Sequence, residues 1–271
     1  MLTLKTILEY FILRGHIEIS NSISILFFNI HWYAIFIAGA LFTLIYLVDK
    51  YKDQNKYLKK INFDEVSIYA IPPALIGARI WHIIERWDYF KDNTGEILRV
   101  WEGGIGIYGA IIGAMFGIFI FTRKYKKDFS RVLNIIFLFL PLSQIIGRYG
   151  NLINQELYGP PTTLPWGIFI RVGNRVAEYI NSEFFHPAYL YEQIGNLILL
   201  VVNFFLYKKY KLSNSIFIGS WFLGYGLIRF IVEFFKISEK ILFFFSINQI
   251  ASIIFIIAGI LIIAKNLKNA E

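Results

Sequence analysis

Residues 215–235 read SIFIGSWFLGYGLIRFIVEFF. A stretch of this length can cross the roughly 30 Å hydrocarbon core of a bilayer, which takes about 20 mostly apolar helical residues. It nevertheless carries Arg229 and Glu233 near its end. The two are four residues apart and so share one helix face. Ionisable groups inside a span are costly; they face a bundle interior or a polar cavity, and they mark function. This segment predicts a membrane-spanning helix with a polar centre at one end.

Working outward, six further stretches of suitable length and apolarity fall at about 27–48, 66–84, 104–122, 132–147, 187–206 and 242–264. The fourth of the seven, 132–147, is the shortest. The composition agrees: 56% hydrophobic, 18% aromatic, mean hydropathy +0.54. Disorder is excluded by this apolar content. The 27 Lys and Arg against 19 Asp and Glu give a net charge of +8, but long apolar runs dilute them. A nucleic-acid partner is therefore not expected. The chain has no cysteine, hence no disulfide framework, no thiolate zinc site and no thiol nucleophile of its own. The expected fold is all-α: a polytopic membrane protein of about seven transmembrane helices, one integral-membrane domain over 1–271. Residues 1–26 mix Lys5, Glu9, Arg14 and Glu18 with apolar residues, which suits an interfacial segment. They lack the basic start and small-residue cleavage site of a signal peptide. Residues 148–186 are expected to form a small extracytoplasmic head, either guiding a peptide or acting as a rigid connector.

Lys and Arg are denser in 50–60, 123–131, 208–211 and 265–268 than in the alternate segments. By the positive-inside rule the N-terminus lies outside and the C-terminus in the cytoplasm. With that orientation His31, Tyr33, Arg79, His82, Tyr108, Arg148, Asn151, His186, Glu192, Arg229, Glu233, Asn248 and Gln249 all fall within roughly 10 Å of the outer boundary, at 1.5 Å of rise per residue. Snorkelling charges would populate both faces, whereas the inner halves read as almost purely apolar. The pattern predicts a polar cavity open to the outer leaflet rather than a path across the membrane.

The densest polar segment is Gly147-Arg148-Tyr149-Gly150-Asn151-Leu152-Ile153-Asn154-Gln155-Glu156-Leu157-Tyr158-Gly159. Arg148 offers a planar fork suited to a phosphate, or caps the dipole of the fourth helix. Asn151, Asn154 and Glu156 add hydrogen-bonding capacity. Other marked stretches are His31-Trp32-Tyr33-Ala34, Gly77-Ala78-Arg79, Trp101 to Gly109, Leu164-Pro165-Trp166-Gly167, His186 to Glu192 and Tyr225 to Phe234. His186, Tyr191 and Glu192 form either a hydrogen-bonded network or packing and capping groups. No G-x-S-x-G or H-E-x-x-H occurs, and the four histidines are scattered. No metal site is expected.

These stretches, in this order, resemble the prolipoprotein diacylglyceryl transferase family. Its signature, G-R-x-G-N-F-x-N-x-E-x-x-G, is matched over 147–159 with Leu152 in place of Phe. The resemblance implies a bacterial cell-membrane enzyme that needs no cofactor. Its reaction moves the diacylglyceryl group of phosphatidylglycerol to the lipobox cysteine of a prolipoprotein. A thioether forms and glycerol 1-phosphate leaves, the first step of lipoprotein maturation. The nucleophile belongs to the substrate, so a chain without cysteine suits the chemistry. Fixed positive charge at the phosphate is the largest catalytic contribution to expect. Arg148 and Arg229 are the natural pair, with Asn151, Tyr33 and Arg79 expected at the lipid and Glu156, Gly159, Glu233, His186 and Glu192 in support. Many relatives carry His where this chain has Tyr108. A phenol near pKa 10 is a weak base at neutral pH, so Tyr108 is expected to align a group or donate a hydrogen bond. Relatives often read R-x-P-D where this chain has Lys236-Ile237-Ser238-Glu239. A seven-helix transporter is disfavoured by the absence of repeats and by the apolar inner halves; a lipid-binding scaffold would tolerate loss of either arginine.

Overall fold

The computed structural model describes residues 22–25, 28–99, 104, 106–212, 215–237 and 245–268. Among these, strands β1 (Ser22–Ile25) and β2 (Phe28–His31) precede the helices α1 (Trp32–Lys52), α2 (Phe63–Glu85), the single turn α3 (Trp87–Phe90), α4 (Ile107–Lys124) and α5 (Phe129–Asn154). Then come β3 (Ile168–Phe169), β4 (Phe184–Phe185), α6 (Ala188–Tyr210), α7 (Ile216–Val232) and α8 (Ile247–Lys268). A 3₁₀ turn, Glu233–Phe235, extends α7. All of these helices except α3, with α7 counted through its turn, are long and apolar enough to cross a membrane, seven in number. The protein is a polytopic, all-α membrane protein.

Two boundaries differ from the sequence expectation. The first span starts at Trp32, because Ser22–Ile25 and Phe28–His31 pair as antiparallel strands, Ser22 with His31 and Ile25 with Phe28. The alternating Ser-Ile-Ser-Ile of 22–25 has the period of a strand rather than of a helix. The interfacial helix expected over the first nineteen residues lies outside the described residues. The fourth span does not stop at 147. It runs to Asn154, so Arg148 and Asn151 stand on its last turns instead of opening a loop. Gly147 and Gly150 lie within it, where each costs only about 1 kcal/mol relative to Ala.

The chain divides into two compact units. One comprises 45–139, 205–219 and 261–271. Within it α2 and α4 pack through glycines. A Cβ on Gly113 would strike the Pro73 carbonyl, and one on Gly117 the Tyr69 carbonyl. Small residues at such spacing let helix backbones approach. Pro73 has no N–H for the Tyr69 carbonyl, so Gly117 sits against the oxygen that the proline leaves without its helical donor. Asn62 caps α2, accepting from the N–H groups of Asp64 (3.0 Å) and Glu65 (3.4 Å).

The other unit comprises 1–44, 140–204 and 220–260. Trp221 and Tyr225, fully buried, stack at 4.8 Å in its core. Its head is ordered: Tyr158, Ile168, Ile170, Phe185 and Tyr189 form a small apolar cluster. β3 pairs with β4, and Pro161 bridges to Phe185. Arg175 ties the head together by donating to the carbonyls of Ile170 (2.8 Å) and Ile180 (3.0 Å). The helices of this unit are less apolar inside than expected. Gln144, Gln193, Asn196, Asn203 and Ser220 are buried. Several pair across helices, as Ser220 does with Asn203 (2.7 Å) and Trp221 with Gln144 (3.0 Å). These groups are neutral, so a search for charges passes over them.

Candidate active site

The last turns of α5, the first turns of α6 and the last turns of α7 bring four charged side chains into one ladder. Arg148 on α5 and Arg229 on α7 bond to the same carboxylate, Glu192 on α6, one to each oxygen. Arg229 reaches Glu192 Oε2 at 3.1 Å through Nη1 and Glu233 Oε2 at 3.1 Å through Nη2. The Arg229–Glu233 contact is the i, i+4 pair that the spacing predicts. Glu192 Oε1 also accepts from the Tyr225 hydroxyl at 2.9 Å. Glu233 Oε1 accepts from Ser246 Oγ (3.0 Å) and Asn248 Nδ2 (3.1 Å). Every carboxylate oxygen of the ladder thus has a donor, the condition under which buried ions are tolerated.

The ladder is graded in exposure. The side chains of Glu192, Glu233 and Arg229 are 2%, 1% and 4% exposed, that of Arg148 14%. Arg148 is the most exposed rung. Its Nη1 donates to Asn151 Oδ1 (3.0 Å), one turn on, and Asn151 Nδ2 donates to Glu156 Oε1 (2.8 Å). These bonds and the one to Glu192 engage two of the five N–H groups of a guanidinium. The Tyr33 hydroxyl reaches Asn151 and lies in the field of Arg148, Glu156 and Glu192. Gly150 makes that possible: a Cβ there would strike the Tyr33 ring.

A second cluster lies beyond α7. His186 Nδ1 bonds the Tyr191 hydroxyl at 2.9 Å, and Trp166 Nε1 donates to the same oxygen at 3.0 Å. The rings of His186 and Tyr191 pack on Phe235. Gly159 closes this corner; its N–H donates to the His186 carbonyl at 2.7 Å, and a Cβ would run into the Phe235 carbonyl. The network expected of His186, Tyr191 and Glu192 is thereby divided. Tyr191 and Glu192 are neighbours on α6, about 100° apart around a helix of 3.6 residues per turn, and only Tyr191 joins His186. Sequence reasoning placed Glu192 in a supporting role and missed that it joins the two arginines; Asn248 was placed only among the polar residues of the outer cavity, and Tyr225 and Ser246 were not assigned to the site. Polar residues of unexplained purpose in apolar stretches were the available signal.

Arg79 and Tyr108 belong to the other unit. Arg79 donates to backbone carbonyls: Ile97 at 2.8 Å, Gly104 at 3.2 Å and Glu96 at 2.6 Å. It fastens the segment after α3. Gly104 has φ +74°, and a Cβ there would meet the His82 ring and Arg79. Tyr108 is buried with its ring 5.3 Å from Trp81. Among the described residues no group of three His, Asp or Glu side chains could hold a metal ion.

Fold and site together define a polytopic membrane protein whose buried polar centre is a pair of arginines joined by one carboxylate. The chain belongs to the prolipoprotein diacylglyceryl transferase family, whose model matches residues 20–265. It is similar to the phosphatidylglycerol–prolipoprotein diacylglyceryl transferase of Finegoldia magna, 33% identical over 247 residues, covering 91% of this chain and 95% of that one. The enzyme of the same name from Fervidobacterium nodosum is 33% identical over 233 residues, covering 86% and 80%. That from Listeria innocua is 32% identical over 243 residues, covering 89% and 87%.

Proposed function

We propose that this chain transfers the diacylglyceryl group of phosphatidylglycerol to the lipobox cysteine of prolipoproteins, with the Arg148–Glu192–Arg229 ladder as its anion-holding centre. The observation that carries this reading is that two guanidinium groups share one carboxylate while the more exposed of them, Arg148, keeps donors beyond those bonds. The reaction displaces a phosphate from an sp3 carbon. Its barrier falls when fixed positive charge meets the charge developing on the departing oxygen in a water-poor site. Arg148 takes the phosphate, with Asn151 and Tyr33 at the headgroup. Arg229 is too buried to lead the contact; it supplies field and, through Glu192, holds Arg148 in orientation. Glu233 anchors Arg229, Glu156 anchors Asn151, and Gly159 and His186 shape the wall beside Phe235. Tyr108 aligns a reacting group rather than accepting a proton. Arg79 bears on the lipid through the segment it holds.

The N-terminus lies outside, the C-terminus in the cytoplasm, and the ladder faces the outer leaflet. The density of Lys and Arg in alternate segments supports this orientation. The head, with its own apolar cluster, receives the lipobox segment of the precursor.

The test is purified protein in phosphatidylglycerol vesicles with a lipobox peptide. Thioether-linked diacylglyceryl peptide and free glycerol phosphate are expected in equal amounts. A Cys→Ser peptide should yield neither. Uptake of a labelled solute without peptide modification would overturn the reading.

A further inference from the structure

We infer that a cavity at the end of α2 is a second anion site, taking a phosphate group carried by a lipid headgroup or by a free phosphate monoester. It shares no residue with the ladder, and all of its lining belongs to the unit that contains 45–139.

Arg79, His82 and Arg86 stand at i, i+3 and i+7 of α2 and its cap, hence on one helix face. Arg79 holds the segment after α3 against that face by donating to the carbonyls of Glu96, Ile97 and Gly104. Between the face and the segment lies a cavity of about 280 Å³, lined by Arg79, His82, Arg86 and Arg99 among others. Three guanidinium groups and an imidazole meet there against one carboxylate of the lining, Glu96, which accepts from the Tyr89 hydroxyl at 2.6 Å. A helix dipole favours cations, but only within the last turn. It accounts for His82 and Arg86, not for Arg79 or Arg99.

Two further features point to a ligand. Gly104 forms part of the wall at φ +74°, and a Cβ there would strike the His82 ring and Arg79 Nη1, both of which line the same space. A side chain at 104 would intrude among the groups that an anion meets. Trp87 and Tyr89 are both exposed just past the end of this span. Such residues mark the membrane–water interface, the level of lipid phosphates. The volume lies just under the roughly 300–1,000 Å³ of sites for drug-sized ligands, so it suits a headgroup and not a whole lipid.

Arg79 is buried and forms the floor, whereas Arg86 and Arg99 are exposed. Their planar forks suit the paired oxygens of a phosphate. Glu96 repels a second negative group on the ligand and accepts from a hydroxyl. The site therefore fits a phosphate whose substituent is neutral or hydroxylated.

The test reads binding alone, so it stands apart from the transferase reading. Arg148→Ala, which removes the phosphate contact assigned to the ladder, is purified in phosphatidylcholine nanodiscs. Glycerol 1-phosphate is titrated by calorimetry; in parallel, phosphatidylglycerol is mixed into the discs and retained lipid is counted by native mass spectrometry. Binding of at least one probe is expected, and the probe that binds identifies the source as free monoester or headgroup. Adding Arg86→Gln with Arg99→Gln should weaken that binding about tenfold or more. Adding Lys91→Gln instead, an exposed charge paired with Asp88 at 2.7 Å and outside the lining, should change it by about twofold or less. Binding of neither probe, or equal weakening by Lys91→Gln, would overturn the inference. If a variant is not recovered, phenylglyoxal modification of Arg86 and Arg99 in the unaltered protein, read by peptide mass spectrometry, decides. Saturating glycerol 1-phosphate or phosphatidylglycerol should slow it several-fold, and an unchanged rate with both would overturn the inference.

Discussion

Arg229 and Arg79 are both buried arginines, 3% and 8% exposed, held by opposite chemistry. Among the described residues Arg79 donates to the backbone carbonyls of Ile97, Gly104 and Glu96. Arg229 meets two carboxylates, one of them shared with Arg148. Carbonyl partners make an arginine a fastener of chain. Carboxylate partners make it a positioned charge, because the counter-ion fixes the plane of the fork and offsets desolvation. The type of partner distinguishes the two duties where burial does not.

The comparison breaks most readily at the ladder. Arg229→Ala leaves Glu192 and Glu233 short of a buried counter-charge, which costs about 3–5 kcal/mol, and turnover should vanish with stability. Arg148→Ala is more informative. Arg229 and Tyr225 still hold Glu192, so the protein should remain folded and inserted, while turnover falls by about 10³ or more with loss of a preorganised donor. Thermal unfolding in detergent beside the peptide assay separates the two variants. Normal turnover in Arg148→Ala would remove the phosphate assignment.

Glu192→Gln tests the sharing itself. The amide keeps the shape but presents a donor to one of the two forks, and a drop of about 10–100-fold in turnover is expected from misplacing Arg148.

The seven spans were legible because bilayer thickness and chain rise are fixed lengths that apolar runs must meet. The Arg229–Glu233 pair was legible because it is local to one helix. That Glu192 joins both arginines was not, since which face of α6 meets α7 depends on packing; one residue along, Tyr191 bonds His186 instead. The end of α5 was placed too early because the apolar run stops near 147, whereas the helix continues through polar residues to Asn154; Gly150 stays helical there and lets the Tyr33 ring approach. The buried amides of α5 and α6 escaped notice because neutral groups carry no charge signal, although they need partners as surely as ions do.

Arg79→Ala sharpens the other side of the comparison. Its loss frees the carbonyls of Ile97, Gly104 and Glu96. Amide hydrogen exchange over 94–99 should quicken about tenfold or more as local opening becomes cheaper. Turnover should fall by less than about tenfold if the residue acts only through this segment. A loss matching that of Arg148→Ala would place Arg79 at the phosphate and erase the distinction between fastener and positioned charge.

The smallest effect belongs to Tyr225→Phe. The ring is fully buried and stacks on Trp221 at 15°, so phenylalanine keeps the packing and removes only the hydroxyl that donates to Glu192 Oε1. A hydrogen bond to a charged group contributes about 1.5–3 kcal/mol. Here the same oxygen retains Arg148, so the cost should lie at the lower end. The melting temperature should fall by a few degrees, with turnover reduced by about fivefold or less. A neutral donor and a cation on one oxygen are then separable: the cation sets the rate, the hydroxyl only steadies the carboxylate. A loss in Tyr225→Phe as large as that in Arg148→Ala would instead make the orientation of Glu192, rather than the charge beside it, the feature on which turnover depends.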